Sequence, residues 1–162
     1  MRYKIVASAF IASVIISAIF LVYAGDLYFK TCCLTYGVRI SIQASDMNAS
    51  SMVVKNVLLL ENPSSLSFKV TYVKEDVYDD SNFEAKLGDT YISALPGSYI
   101  VLVKESSNAT VDLTVSLAKI PSNKNLLVKV YMRFDDIPLL ESLYLTRYFS
   151  LPLNVSSEEG VP

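Results

Sequence analysis

The 162-residue chain contains no histidine and no tryptophan, and only two cysteines and five glycines. Without histidine the commonest general base and metal ligand are gone, and with them the Ser-His-Asp and Cys-His catalytic arrangements. Two adjacent cysteines, Cys32 and Cys33, cannot close a structural zinc site. No phosphate-binding loop or dinucleotide fingerprint is present. The net charge of -2 offers no basic surface for nucleic acid. These absences leave little room for an enzyme, and the chain is read as non-enzymatic. Tyrosine, by contrast, is plentiful at 11 residues. With valine, isoleucine and threonine it favours strands.

Charge is missing altogether from Ile5 to Gly25, a stretch of 21 residues. As a helix it spans about 31 Å, one hydrocarbon core. Tyr3 and Tyr23 bracket the apolar run, where interfacial aromatics are expected. Arg2 and Lys4 precede it and Asp26 follows, which predicts a cytoplasmic N-terminus and an extracytoplasmic remainder. The competing reading is a signal peptide cut after Ala24, because Val22 and Ala24 are small residues at cleavage spacing. The run is long for a signal peptide, whose apolar region is ~7–15 residues. The reading adopted is a single-pass anchor over residues 5–25, with secretion after cleavage as the alternative.

Beyond the anchor the chain divides into a juxtamembrane spacer (26–33), a β domain (34–155) and a flexible tail (156–162). Period-two alternation is clear in Val38–Ile42, Phe68–Tyr72, Val111–Leu117, Val128–Phe134 and Phe149–Val155. In the second of these, Phe68, Val70 and Tyr72 fall on the core-facing side. Val53–Leu60 and Tyr99–Lys104 read as more buried strands, and Tyr91–Leu95 and Phe83–Leu87 as short ones. Ala44–Ser51 reads as a turn, and Leu87-Gly88-Asp89 as a hairpin turn or a bulge. Pro96-Gly97 is a turn as well. Pro138–Tyr144 suggests a helical turn or an amphipathic bridge. Strands at this spacing predict an all-β, antiparallel, immunoglobulin or fibronectin-III-like sandwich behind an N-terminal transmembrane helix.

The order of these features resembles the late-embryogenesis-abundant type-2 family, also called the water-stress and hypersensitive-response domain. The matching elements are the first strand Val38–Ile42, Asn62-Pro63, the segments FKVTYVKEDVY and YISALPGSYIVL, then VDLTVSL and FSLPLNV. The resemblance covers residues 34 to 155. It implies an immunoglobulin or fibronectin-III-like sandwich without enzymatic activity, and a role in stress protection or in binding at a membrane or envelope.

Three sets of residues are candidate sites. Glu75, Asp76, Asp79 and Asp80, with Glu84 nearby, could supply oxygen ligands to Ca²⁺, although the spacing is not that of an EF-hand. The competing reading is a solvated acidic loop that guards a sheet edge. No acid is expected to be shifted by burial in an apolar run. Asn48, Asn108 and Asn154 open N-x-[ST] sequons. Cys32 and Cys33 can bond each other only with strain, which leaves an intermolecular disulfide or two packed thiols.

The function expected is therefore a membrane-anchored, extracytoplasmic binding, accessory or protective domain with an unknown protein partner. The alternative is a filament or surface-layer subunit, a homo-oligomer in which Gly25–Tyr36 adds as a strand to a neighbour. A calcium-dependent binding module is third.

Overall fold

A computed structural model describes residues 2–48, 52–79, 85–119, 121, 125–152 and 155–156. Helix α1 (Arg2–Gly37) runs without a break through the apolar segment and on through residues 26–37. It is the one helix among the described residues that is long and apolar enough to cross a membrane, over Val6–Gly37. At 1.5 Å per residue its 36 residues extend about 54 Å, well beyond a bilayer core of about 30 Å.

The sequence reading of 26–33 as a juxtamembrane spacer leaves its conformation open, and the structure makes it helical. An Asp26–Lys30 ion pair at 2.7 Å, one helical turn apart, offsets the two charges that mark the end of the apolar run. Helical spacing then brings Thr31 and Leu34 to one side, where both are buried. Leu34 belongs to the domain core, so the helix base is part of the folded unit.

Among the described residues nine strands follow: β1 (Arg39–Asn48), β2 (Val53–Asn62), β3 (Phe68–Asp79), β4 (Lys86–Ser93), β5 (Val101–Val103), β6 (Ser107–Ser116), β7 (Asn125–Ile137), β8 (Leu140–Pro152) and β9 (Val155–Ser156). One sheet has the order β6-β2-β1-β9. The other has the order β4-β3-β7-β8, with β5 also paired to β3. All pairings are antiparallel except β1 with β9. Both sheets contribute to one core that includes Val54, Leu58 and Leu60 of β2, Val73 and Val77 of β3, and Val128, Val130, Met132 and Phe134 of β7. Alternation places these side chains inward, as the period-two pattern predicts for β6 and β7; β2, read from sequence as a more buried strand, alternates in the same way.

Several local expectations are corrected. Ala44–Ser51 is strand as far as Asn48, after a bulge between Ile42 and Ala44. Gly88 lies inside β4 beside a bulge opposite Val77 and Tyr78, the bulge alternative rather than the hairpin turn. A Cβ there would lie 2.3 Å from the Ser116 carbonyl oxygen, so only glycine lets β4 approach β6 this closely. Pro138 and Leu139 form neither helix nor bridge. They are the two-residue turn of the β7–β8 hairpin, with Ile137 opposite Leu140 and Leu139 at φ 65°. Pro138 supplies the fixed φ of the first turn position. The candidate strand Phe83–Leu87 lies partly outside the described residues, and Leu87 belongs to β4.

The end of the domain that meets the helix is organised by Asn62. This buried side chain donates from Nδ2 to the carbonyls of Leu66 and Lys104, both at 2.8 Å. Its Oδ1 accepts from Ser64 N at 3.1 Å and Ser64 Oγ at 2.7 Å. Thr31 Oγ1 lies 3.0 Å from the Pro138 carbonyl and 2.9 Å from that of Leu27, within donating reach of both. Asn62→Ala strips these carbonyls of their donor and is expected to cost about 2–4 kcal/mol. Denaturant unfolding of the detergent-solubilised protein, followed by tyrosine near-ultraviolet circular dichroism, measures the loss; an unchanged midpoint would contradict this role.

Candidate functional site

Residue 71 reshapes the outer face of the β4-β3-β7-β8 sheet. Val70 pairs with Phe134 and Tyr72 with Arg133, so Thr71 is an extra residue on β3. The bulge reverses the alternation that the sequence suggests. Tyr72, placed among the core residues by periodicity, moves outward, while Val73, Glu75 and Val77 turn inward and are buried.

At the same point β3 changes partners, from β5 at Phe68–Val70 to β4 at Tyr72–Tyr78. The chain between β4 and β5 therefore leaves the sheet. It is tied back by Ala94 N to the Thr71 carbonyl (2.9 Å) and Ile100 N to the Val70 carbonyl (2.8 Å). Pro96-Gly97 caps it as a turn, with Gly97 at φ 80° and Ser98 N bonded to the Leu95 carbonyl at 2.9 Å.

Between this loop and the sheet lies an open cleft of about 700 Å³. Tyr72, Tyr131 and Tyr144 line it from three adjacent strands. Tyr72 meets Tyr131 edge-on at 5.8 Å between ring centroids, and Tyr131 stacks with Tyr144 at 5.9 Å. Tyr91 of β4 extends the row, stacked with Tyr72 at 6.2 Å.

Polar groups in the cleft are held in pairs. Arg133 Nε donates to Asp135 Oδ1 at 2.9 Å, and Thr71 Oγ1 donates to Asp135 Oδ2 at 2.7 Å. Burial alone would raise the Asp135 carboxyl, but its bonds with Thr71, Ser142 and Arg133 hold it below the usual carboxylate range. The Arg133 guanidinium lies 5.9 Å from the Tyr144 ring centroid. Lys69 pairs with Asp136 at 2.5 Å and sits over the Tyr99 ring at 5.7 Å. The sequence signals that could have found this site are the tyrosine count and the Pro96-Gly97 turn, but neither reveals the bulge that gathers them.

No family model matches this chain, and no curated protein matches it. Its fold does recur. An X-ray structure of a Northeast Structural Genomics Consortium target aligns with 75% of this chain and 90% of its own length, at 10% identity and a TM-score of 0.53. The putative ApaA protein of Bordetella pertussis aligns with 72% of this chain and 94% of its own, at 10% identity and a TM-score of 0.51. A putative late-embryogenesis-abundant protein aligns more widely, over 88% of this chain and 86% of its own, at 16% identity and a TM-score of 0.46. At that score it leaves the family resemblance where the sequence left it.

Of the acids in the calcium expectation, Glu75, Asp76 and Asp79 lie on β3, not in a solvated loop, and strand alternation points Glu75 and Asp76 to opposite faces. Glu75 points into the core, whereas Asp76 lies on the outer face with Lys74 at 3.3 Å and Lys86 at 2.7 Å. Burial alone would raise Asp76, and the two lysines outweigh it and hold the carboxyl low. Asp79 is buried near the strand end, and Asp80 and Glu84 lie outside the described residues. Among the described residues no group of three acids, cysteines or histidines converges as metal ligands.

Of the sequon asparagines, Asn108 is exposed on β6, Asn48 ends β1, and Asn154 lies outside the described residues. Cys32 is half-buried and Cys33 exposed on α1, and no disulfide joins them within the chain.

Glu75 corrects the expectation that no acid is shifted. It is fully buried and accepts a hydrogen bond from Asn56 Nδ2 of the opposite sheet. Burial pushes its carboxyl up to about 7 against the opposing effect of Asn56. Glu75 Oε2 and Asn56 Oδ1 are buried without a hydrogen-bond partner among the described residues, which favours the neutral, protonated carboxyl over an ionised one. A raised folded-state value means stability that is complete below the unfolded value near 4.5 and is lost as pH rises through about 7. At ~1.4 kcal/mol per pH unit the loss is roughly 3 kcal/mol. Glu75→Gln is expected to flatten this part of the stability–pH curve between pH about 4.5 and 8, measured by unfolding at each pH. An equally steep curve in the variant would exclude Glu75 as its source.

Proposed function

We propose that this protein is a single-pass, membrane-tethered, extracytoplasmic binding domain of immunoglobulin or fibronectin-III-like architecture, with an accessory or protective role at the cell envelope. The observation that carries this reading is helix α1, whose apolar length suits a bilayer and whose base, through Leu34, is built into the core. A tether that is also a core element favours retention over cleavage, because the segment after Ala24 is helical and docked. The same helicity disfavours Gly25–Tyr36 as a strand donated to a neighbour.

The strand order supports the fold assignment. β1, β2 and β6 face β4, β3, β7 and β8, in the way strands A, B and E face C′, C, F and G. Orientation follows from Arg2 and Lys4, which belong on the cytoplasmic side of the span. An extracytoplasmic Asn108 would be accessible to glycosylation. We read the tyrosine-lined cleft as the binding surface, because three adjacent strands set Tyr72, Tyr131 and Tyr144 around an open hollow beside two ion pairs.

The test uses Cys33, which is exposed on the domain side of the apolar segment. After mild reduction, a membrane-impermeant maleimide is expected to label it on intact cells, and alkaline carbonate should leave the protein in the membrane pellet. Labelling only after lysis would reverse the orientation. A soluble chain beginning at Gly25 would remove the tether.

A further inference from the structure

We infer that the cleft beneath the Pro96-Gly97 loop is a binding site for a neutral saccharide. The inference rests on the reading of the cleft as the binding surface and adds the class of its ligand. Charge balance decides against other classes. The cleft holds two cations and two carboxylates, and each cation is neutralised within the site: Lys69 by Asp136 at 2.5 Å and Arg133 by Asp135 at 2.9 Å. A net-charged ligand gains little from such a site and loses its hydration on entering.

Both pairs keep hydrogen-bonding capacity. Arg133 has five N–H donors and commits Nε to Asp135. Lys69 has three N–H donors and one carboxylate partner. A hydroxyl both donates and accepts, so a run of hydroxyls matches donors set beside acceptors. The row of tyrosines supplies the complement for the C–H faces of a sugar ring, and an aromatic wall with a few fixed polar groups is the usual composition of a ligand site.

The preorganisation is specific. Thr71, displaced by the bulge, orients Asp135, which in turn fixes Arg133 beside Tyr144. An extended peptide is disfavoured, because the backbone groups of the cleft floor are engaged in the β3–β7 and β7–β8 ladders. Little remains there for a peptide backbone to pair with.

The experiment is saturation-transfer NMR and calorimetry on the full-length protein in nanodiscs. The probes are gluco-, manno- and galacto-configured neutral oligosaccharides, with uronic-acid oligomers and a proline-rich peptide alongside. Saturable binding of a neutral oligosaccharide is expected, with little change in Kd from about 0.05 to about 0.5 M salt, since screening acts on net charge. Arg133→Gln is expected to weaken it about tenfold through loss of charged donors. Ser93→Trp, on the exposed rim of the cleft, should block it without disturbing the core and serves if the arginine variant unfolds.

Failure of every neutral saccharide to bind would overturn the inference. So would selective binding of uronic acids or peptide, or binding untouched by both substitutions in folded protein. A chain labelled on intact cells that binds no saccharide overturns the ligand and leaves the tether. Saccharide binding by a chain labelled only after lysis does the reverse.

Discussion

The side chain of Asn62 is the fastening on which the helix-proximal end of the domain depends. An amide has two donors and two lone pairs, and here all four are used. They bind the end of β2, the following loop and the loop after β5 into one unit. Pro63, held by that unit, lies against Gly37 at the end of the helix, 3.1 Å from where a Cβ would sit. The Asn-Pro pair is thus the seat into which α1 fits, and a buried polar group is tolerated there because it is fully satisfied. Asparagine suits this place because no apolar residue could satisfy the Leu66 and Lys104 carbonyls.

A single inserted residue has comparable reach on the other face. Thr71 forces the β3 ladder out of phase, and everything after it on the strand changes sides. The same displacement buries Glu75 against Asn56, turns Tyr72 to the surface and lets β4 hand over to β5. The acid in the core and the aromatic cleft outside are two results of one irregularity. The core accepts the glutamate because Asn56 bonds one oxygen and burial keeps the carboxyl protonated up to about 7.

This explains where the sequence was readable. Alternation in Val111–Leu117 and Val128–Phe134 reports strand faces directly, because no bulge interrupts those segments. The Asn62-Pro63 break and the Pro96-Gly97 turn are legible for the same reason: their chemistry acts locally. In FKVTYVKEDVY the letters alternate one way before Thr71 and the structure alternates the other way after it, so Tyr72 was assigned to the core and Glu75 to a loop. A bulge depends on the neighbouring strand, which a single segment does not contain. The helix beyond Gly25 was hidden likewise, since the burial of Thr31 and Leu34 depends on Pro138 and the core, far along the chain.

The unbroken helix has a mechanical meaning. With Thr31 and Leu34 buried in the domain, the helix runs into the sheets without a break and works as a keyed shaft. In the proposed membrane-spanning setting its phase would set which way the cleft faces around the membrane normal, and its length would set the height. One residue added between Gly25 and Thr31 would rotate the whole domain by about 100° and raise it by about 1.5 Å. Seven would return it to within about 20° of its original bearing, some 10 Å higher. The bearing of the cleft relative to the apolar span is thereby written in the count of residues along a shaft, rather than in the flexibility of a linker.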